Sequence, residues 1–521
     1  MKKNILFVIV LLCLKSAVVM AQVPEDAIRY SWLPHNGTAR YMAIGGVMGS
    51  LGGDISAAFV NPAGLGFFRT GEAVFSPGFL MNRNKTSFRD GATSKDTKNS
   101  FNLGTSGWIK GTTFKNDPTS GNTYSVAFNQ VANFNNVIHY SGLNNYSSFS
   151  EQFAEEFSAS GKSIDEILNT NSALPYTSAP ALYTYLIDTV WDGSKYIVRG
   201  SPETILDAGQ ALKQDMLKIT SGGMYELGIS LAENRKGKWL LGGTLGIPIV
   251  NFKSNTVFTE SDTSSGTANL FKSATFTDNF KTLGIGLNVK LGIIYRPEEY
   301  IRLGFAIHTP SIIYQTDKRT TSLFNAREGS DSLREEYVSS IQFTQDGAGE
   351  NKYIQVTPLK AMISASYVFR EVENVKKQRA FISADIEYTN HNNTRFLVEE
   401  DTEENAEKKS YYKSLNKTLK DIYKGAFNFR VGGELKFNVM MARLGFAYYT
   451  NPYKNVSFKA NKMLLSGGLG YRNKGYFIDV TYVHNMNKDA DFPYRLQARD
   501  NTYASIKQTQ GNISATFGVK F

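Results

Sequence analysis

The chain has 521 residues, of which 13% are aromatic, with 45 Gly, 28 Tyr and 34 Phe and a formal net charge of +10 at pH 7. Its one cysteine, Cys13, lies close to the amino terminus, so a disulfide framework or a cysteine-based metal site elsewhere is excluded. Past the first twenty residues no stretch approaches the roughly 18 uncharged apolar residues that a transmembrane helix needs, and the basic residues are scattered among acidic ones rather than gathered into a nucleic-acid-binding block.

Lys2 and Lys3 precede an apolar run over 5–14, and Val19-Met20-Ala21 offers a signal-peptidase site. Residues 1–21 are therefore expected to be an export signal cleaved near Ala21 rather than an anchor, because the apolar core is short and close to the cleavage site. Leu12 before Cys13 fits poorly as a lipoprotein site. Loss of Lys2, Lys3 and Lys15 leaves a net charge of +7, a mildly basic surface that suits anionic lipid headgroups.

Residues 22–70 do not read as strand. They are rich in Gly and Ala, and Asn61-Pro62 marks a turn, because proline fixes its own backbone and biases the preceding residue away from helix. Small residues allow tight turns and close packing, so this segment reads as an inward-folded hatch or as a periplasmic tail.

From residue 71 onward, alternating runs bounded by turn residues give about fourteen strands. One face of 427–437 carries Phe427, Phe429, Val431, Leu435 and Phe437, while Asn428, Arg430, Glu434 and Lys436 share the other. Burying that charged face in a soluble sandwich would be costly. Leu283, Ile285, Leu287, Val289, Leu291 and Ile293 form a similar stripe, and so do Ile382, Ala384, Ile386 and Tyr388. A mean hydropathy of only -0.28 agrees, since half of each barrel strand faces water. The expected fold is all-β, a transmembrane antiparallel barrel of about fourteen strands over 71–521.

Connections alternate in length. Short ones at 234–237, 297–299, 438 and 473–475 interleave with long ones at 135–221, 322–350, 399–424 and 485–507, as in barrels with short periplasmic turns and long extracellular loops. The link over 110–122 is longer than that rule prefers. The strand over 124–134 alternates cleanly and then breaks at Asn129-Gln130, which reads either as a kink suited to a lateral opening or as the strand's end. In the extracellular insert over 135–221, Phe149, Phe153 and Phe157 recur every four residues. A second amphipathic helix is predicted from Ile205, Ala208, Leu212, Met216 and Ile219. The phenylalanines form either an external ligand groove or the loop's own core.

The chain closes with Ile513, Ala515, Phe517, Val519 and Phe521 on one face and Ser514, Thr516, Gly518 and Lys520 on the other. This is the pattern of a closing barrel strand, with Phe521 expected to be the membrane-assembly signal for barrel-assembly machinery.

The segment Ala39-Arg40-x-Met42-Ala43-x-Gly45-Gly46, followed by Leu51-Gly-Gly-Asp54-x-Ser56-Ala57 and Asn61-Pro62-Ala63-Gly64-Leu65, resembles the amino-terminal hatch of the FadL-like outer-membrane transporters of long-chain fatty acids and aromatic hydrocarbons. The resemblance implies a fourteen-stranded barrel plugged by residues 22–70, with apolar ligands moving from an outer groove to an inner pocket and out sideways near the third strand. It implies gate roles for Asp54, Asn61, Pro62, Ala63 and Gly64. The long insert departs from the family pattern.

Catalytic chemistry is not supported: no G-x-S-x-G elbow occurs, and the five histidines show no pair at metal-ligand spacing. The expectation is a non-enzymatic, cofactor-free and metal-free passive channel for hydrophobic small molecules in the bacterial outer membrane. It is expected to be monomeric and to touch outer-membrane lipid or lipopolysaccharide. The alternative is a scaffold, adhesin or secretion-associated barrel that binds partners through its loops.

Overall fold

The computed structural model describes residues 24–264, 270–328, 333–344, 347, 349–369, 379–400, 402, 405–454 and 460–521. The proposed export signal, with Cys13 and Ala21, lies outside them.

Fourteen antiparallel strands close into a barrel. In chain order they are β1 (Gly71–Phe75 and Pro77–Phe88), β2 (Ser94–Leu103 and Ser106–Gly111), β3 (Gly121–Asn133 and Asn136–Asn144), β4 (Leu212–Arg235), β5 (Trp239–Asp262), β6 (Ser273–Glu298) and β7 (Ile301–His308 and Ile312–Glu328). The second half comprises β8 (Gly349–Val356 and Lys360–Phe369), β9 (Ala380–Asn390), β10 (Gly425–Phe437), β11 (Met440–Tyr449), β12 (Lys462–Asn473), β13 (Tyr476–Asp491) and β14 (Ala504–Lys520). Closure is made by β14 pairing with β1, Phe79 opposite Ile513 and Phe75 opposite Phe517. Phe521 completes that ladder, exchanging both backbone hydrogen bonds with Gly71 at 2.9 and 3.0 Å. Its ring lies where a Gly71 side chain would be, so a larger residue there would have to push the exposed ring aside.

The alternation decides which face looks out. Leu283, Ile285, Leu287 and Leu291, Phe427, Phe429 and Leu435, and Ile513, Phe517 and Val519 are all exposed. A continuous apolar surface of this extent is what acyl chains cover. Aromatic side chains mark the short-turn end, where Trp239 stacks on Tyr295 with ring centroids 4.2 Å apart and Tyr476 and Phe521 are exposed. Turns there are tight: Lys474 and Gly475 both adopt positive φ (47° and 87°), the backbone that lets a two-residue hairpin follow strand twist.

The other end carries the long connections, and here the expectation is corrected. Asn136–Asn144 and Leu212 onward are strand, pairing with each other from Asn136 opposite Thr220 to Asn144 opposite Leu212, so the insert proper spans 145–211 rather than 135–221. Only Glu203–Asp207 of the second predicted helix forms; Leu212, Met216 and Ile219 belong to β4. Strands β4, β5 and β6, with 24, 24 and 26 residues, are about twice the length that crosses a bilayer and project beyond it. No helix among the described residues is long and apolar enough to span a membrane.

The lumen around the hatch is crossed by buried ion pairs. Glu434 bonds Arg443 at 2.6 Å and Arg40 at 3.4 Å, and Arg443 also bonds Asp479 at 2.5 Å, all nearly inaccessible to water. Glu387 pairs with Arg430 at 3.0 Å, and Glu226 with Lys290. Removing one member of such a cluster leaves opposite charges buried and unpaired. Arg443→Ala should therefore cost about 3–5 kcal/mol of unfolding free energy, read from urea titration of the refolded barrel in detergent. A loss below about 1 kcal/mol would show that the lumen tolerates the bare carboxylates.

Candidate ligand pocket and hatch

Residues 24–70 fold inside the barrel as short helical turns, of which Ala39–Ala43, Ile55–Phe59 and Pro62–Phe67 are fixed by local caps. Thr38 accepts a hydrogen bond from the Tyr41 amide at the start of Ala39–Ala43. Asp54 accepts from the Ser56 amide at the start of the 3₁₀ turn Ile55–Phe59, and from the Thr38 hydroxyl at 2.9 and 2.8 Å. Asn61 caps the turn Pro62–Phe67, with Pro62 at the first helical position, where a missing N–H costs nothing. These interactions explain why Asp54 and Asn61-Pro62 stand where they do.

Lumen side chains then satisfy the hatch backbone. Asp385 accepts from the Met48 and Gly49 amides at 3.0 and 3.1 Å, Arg302 donates to the Leu51 carbonyl at 2.6 Å, and Thr481 donates to the Ala39 carbonyl at 2.6 Å. The Ser50 hydroxyl lies 2.7 Å from that of Ser364 and 2.6 Å from that of Ser366. Asn61 is fully buried, its Nδ2 donating to the Gly49 carbonyl at 2.5 Å and to the Ile293 and Phe305 carbonyls at 3.3 Å. Gly242 and Gly292 on β5 and β6 leave the space that Pro62, Ala63 and Asn61 occupy, and a Cβ at either would collide with them. Asn61, Pro62 and Ala63 are thus wedged against the wall at β5 to β7, while Asp54 and Gly64 hold the hatch's own turns together.

Above this wedge is a cavity of about 1270 Å³. Its floor is an earlier part of the hatch, Ile28 to Asn36, and its walls include Phe134, Phe252, Leu464 and Val483. The Arg29 guanidinium lies 4.0 Å above the Phe252 ring, and Phe134 meets Phe252 edge-on at 5.5 Å. Lys462 Nζ sits 3.7 Å over the Trp32 ring and donates to the Trp32 carbonyl at 2.7 Å. Arg29 is matched by Asp26 at 2.6 Å, whereas no carboxylate among the described residues forms an ion pair with Lys462. The lining is mixed, with apolar patches at Trp32, Phe134, Phe252 and Leu464 beside amides such as Asn82, Asn485 and Gln510, and the Lys462 ammonium, held at Trp32, has no ion-paired carboxylate among the described residues.

The cavity reaches the wall at Asn102 and Gln130. There the ladder is interrupted. β2 and β3 pair from Gly111 opposite Thr123 to Ser106 opposite Phe128 and no further. β3 carries a register shift between Gln130 and Ala132, and its far half turns inward behind β1, where Asn84 donates to Asn136 at 2.6 Å and to the Val137 carbonyl at 2.5 Å. Side chains bridge the seam in place of the ladder. Asn36 of the hatch donates to the Gln130 carbonyl at 2.7 Å and the Leu103 carbonyl at 3.1 Å. The Leu103 amide donates to Gln130 Oε1 at 3.0 Å, and Asn129 to the Asn36 carbonyl at 3.1 Å. Sequence reasoning singled out Asn129 and Gln130 but missed Asn36, Asn102, Trp32 and Lys462. The run of amides over 129–136 was a legible signal, but Asn36 becomes meaningful only when the hatch is seated.

Phe149, Phe153 and Phe157 do not form an open groove. They are buried, with Phe149 stacked on Phe258 at 4.4 Å and Phe153 tilted against Phe276 at 5.5 Å. Helix Ser150–Ser160 lays this apolar stripe onto inward-facing rings of β5 and β6, so the insert packs its own core over the long-loop end. Among the described residues, no group of three or more His, Cys, Asp or Glu is placed to hold a metal ion.

No protein-family model matches the sequence, and no curated protein matches it. Solved structures do. A FadL homologue from Pseudomonas aeruginosa aligns over 93% of this chain and 99% of its own, at 13% identity and TM-score 0.50. The P. putida toluene transporter TodX aligns over 94% and 99% at 11% identity and TM-score 0.50, and a TodX monoaromatic hydrocarbon channel mutant over 94% and 100% at 11% and 0.52. The resemblance read from the hatch motif extends over nearly the whole chain as a shared architecture: this protein has the fold of the FadL-like channels.

Proposed function

We propose that the protein is a passive channel of the bacterial outer membrane for hydrophobic small molecules. The observation that carries this reading is one continuous arrangement: a half-open pocket floored by the hatch, ending at a wall seam bridged by side-chain amides instead of a strand ladder. A ligand entering from the long-loop end would rest against Trp32, Phe134 and Phe252 and leave between β2 and β3 once Asn36 releases Gln130 and Leu103. Release requires the hatch to shift, and Asn61, Pro62, Ala63, Gly64 and Asp54 are the pivot about which it would move. The structural neighbours named as toluene and monoaromatic hydrocarbon channels support the substrate class. Lys462 favours an acid-headed ligand such as a long-chain carboxylate over a bare hydrocarbon. No covalent step is needed. Phe521, paired at the closure, is the proposed recognition element for barrel assembly.

A second reading, partner binding through the insert, is favoured by the hairpin Ile187–Trp191 and Tyr196–Gly200, whose exposed Trp191 and Tyr196 rings meet edge-on at 5.1 Å. Removing that hairpin while measuring uptake separates the two, since a channel should keep its uptake.

Three measurements test transport. In Ser50→Cys/Ser366→Cys, whose parent hydroxyls lie 2.6 Å apart, a disulfide would pin the hatch to the wall. Uptake of a labelled long-chain carboxylate by proteoliposomes should fall to background when oxidised and return with reductant. Uptake unaffected by oxidation would remove hatch movement from the mechanism. Asn36→Ala, which deletes the bridging amide, should raise leakage of small apolar dyes while the folded barrel keeps its heat-modifiable mobility. Lys462→Gln should weaken carboxylate binding by about 1.5–3 kcal/mol, the worth of a hydrogen bond to a charged group, and leave toluene binding unchanged. Equal loss for both ligands would contradict recognition of an acid.

A further inference from the structure

The outward faces of β13, β14, β1 and β2 carry Lys488, Lys507, Lys85 and Lys95, and pairing places them side by side. Lys488 is opposite Lys507, Lys507 opposite Lys85, and Lys85 opposite Lys95. Arg83 lies two residues nearer the apolar belt on the same face. All five are exposed, and none forms an ion pair or side-chain hydrogen bond among the described residues. Like charges directly opposite across strands repel and destabilise the pair, so a row of four in register has no rationale within the chain.

A second row lies on the other side of the barrel. Lys253 is opposite Lys281 and Lys281 opposite Lys318 across β5, β6 and β7, beside a depression of about 410 Å³. Only Lys318 is paired there, with Glu350 at 2.9 Å. The two rows stand at one level: Lys507 is fourteen residues along β14 from Phe521, and Lys253 fourteen along β5 from Trp239, both aromatic residues of the short-turn end. At a rise of about 3.3 Å per residue and a tilt of about 40° this is about 35 Å along the axis, about 10 Å beyond the top of an apolar band about 25 Å tall. That is headgroup depth.

We propose that these rows bind the phosphate groups of a phosphorylated glycolipid in the surrounding leaflet, four lysines on β13 to β2 forming the stronger site and three on β5 to β7 the weaker. The phosphates supply the missing counter-charge, and acyl chains of the same molecule lie on the apolar residues below, Phe79, Ile513 and Tyr482, which form one cross-strand row. Charge and apolar contact on one face select a lipid rather than a free anion. The inference rests on the barrel standing in a membrane and is independent of transport.

The test compares wild type with Lys85→Gln/Lys95→Gln/Lys488→Gln/Lys507→Gln, both refolded in neutral detergent. Without lipid, the variant should melt at a temperature equal to or above wild type, because repulsion has been removed. Added purified lipopolysaccharide should raise the wild-type melting temperature, and the variant's affinity for it should be weaker by roughly fivefold per lysine removed. A further Lys253→Gln/Lys281→Gln/Lys318→Gln change should abolish the remaining shift. Dephosphorylated lipopolysaccharide and inorganic phosphate should each leave wild type unmoved. An equal lipopolysaccharide shift in wild type and variant, or an equal shift with the dephosphorylated form, would overturn the phosphate assignment; an equal shift with inorganic phosphate would overturn the lipid.

Discussion

A barrel wall pairs its backbone groups along the ladder, here everywhere but at the seam of β2 and β3, and it turns half of its side chains inward, many of them charged. The fold depends on neutralising that interior without water. Arg443 between Glu434 and Asp479, Arg430 with Glu387, and Lys290 with Glu226 answer part of the need. The hatch answers the rest. Its irregular backbone would be untenable in an apolar core, yet in this lumen Asp385, Arg302, Thr481 and Ser466 meet its amides and carbonyls one by one. Wall and plug each supply the partners the other lacks.

That mutual satisfaction makes the seam between β2 and β3 distinctive. Elsewhere, apart from Asn61 at the Ile293 and Phe305 carbonyls, the hatch bonds mostly to side chains that project from a paired ladder. At the seam, Asn36 bonds to the Gln130 and Leu103 carbonyls, groups that a neighbouring strand would otherwise satisfy. There the hatch and the wall are joined by few hydrogen bonds, each of modest net strength. The insert is instead packed onto the wall by its rings, Phe149 stacked on Phe258 and Phe153 tilted against Phe276.

Strand identity was legible where the period was unambiguous, as in 427–437 or 283–291, where apolar residues recur at every second position, Gly433 apart, opposite polar residues and glycines. It failed at Leu212 and Met216, because a spacing of four satisfies both a helix and one face of a strand, and only the pairing of β4 with β3 and β5 decides between them. The phenylalanines at 149, 153 and 157 were correctly read as a helical stripe, but a stripe does not say what it faces. Asn61 and Pro62 were identified by motif; their physical office, a capped turn wedged into space left by Gly242 and Gly292, needed the wall that lies about 180 to 230 residues further along the chain.

The sequence by itself determined which residues face lipid, which face the lumen and how many times the chain crosses, because side-chain alternation is a local property of extended backbone. Tertiary structure decided everything that depends on register between distant strands. It brought Asn36 to Gln130 across the seam, set Lys462 above Trp32 in the pocket, and aligned Lys488, Lys507, Lys85 and Lys95 on the outer wall. A period of two fixes the face on which a side chain lies, while its height and its neighbours follow only from how strands slide against one another as the barrel closes.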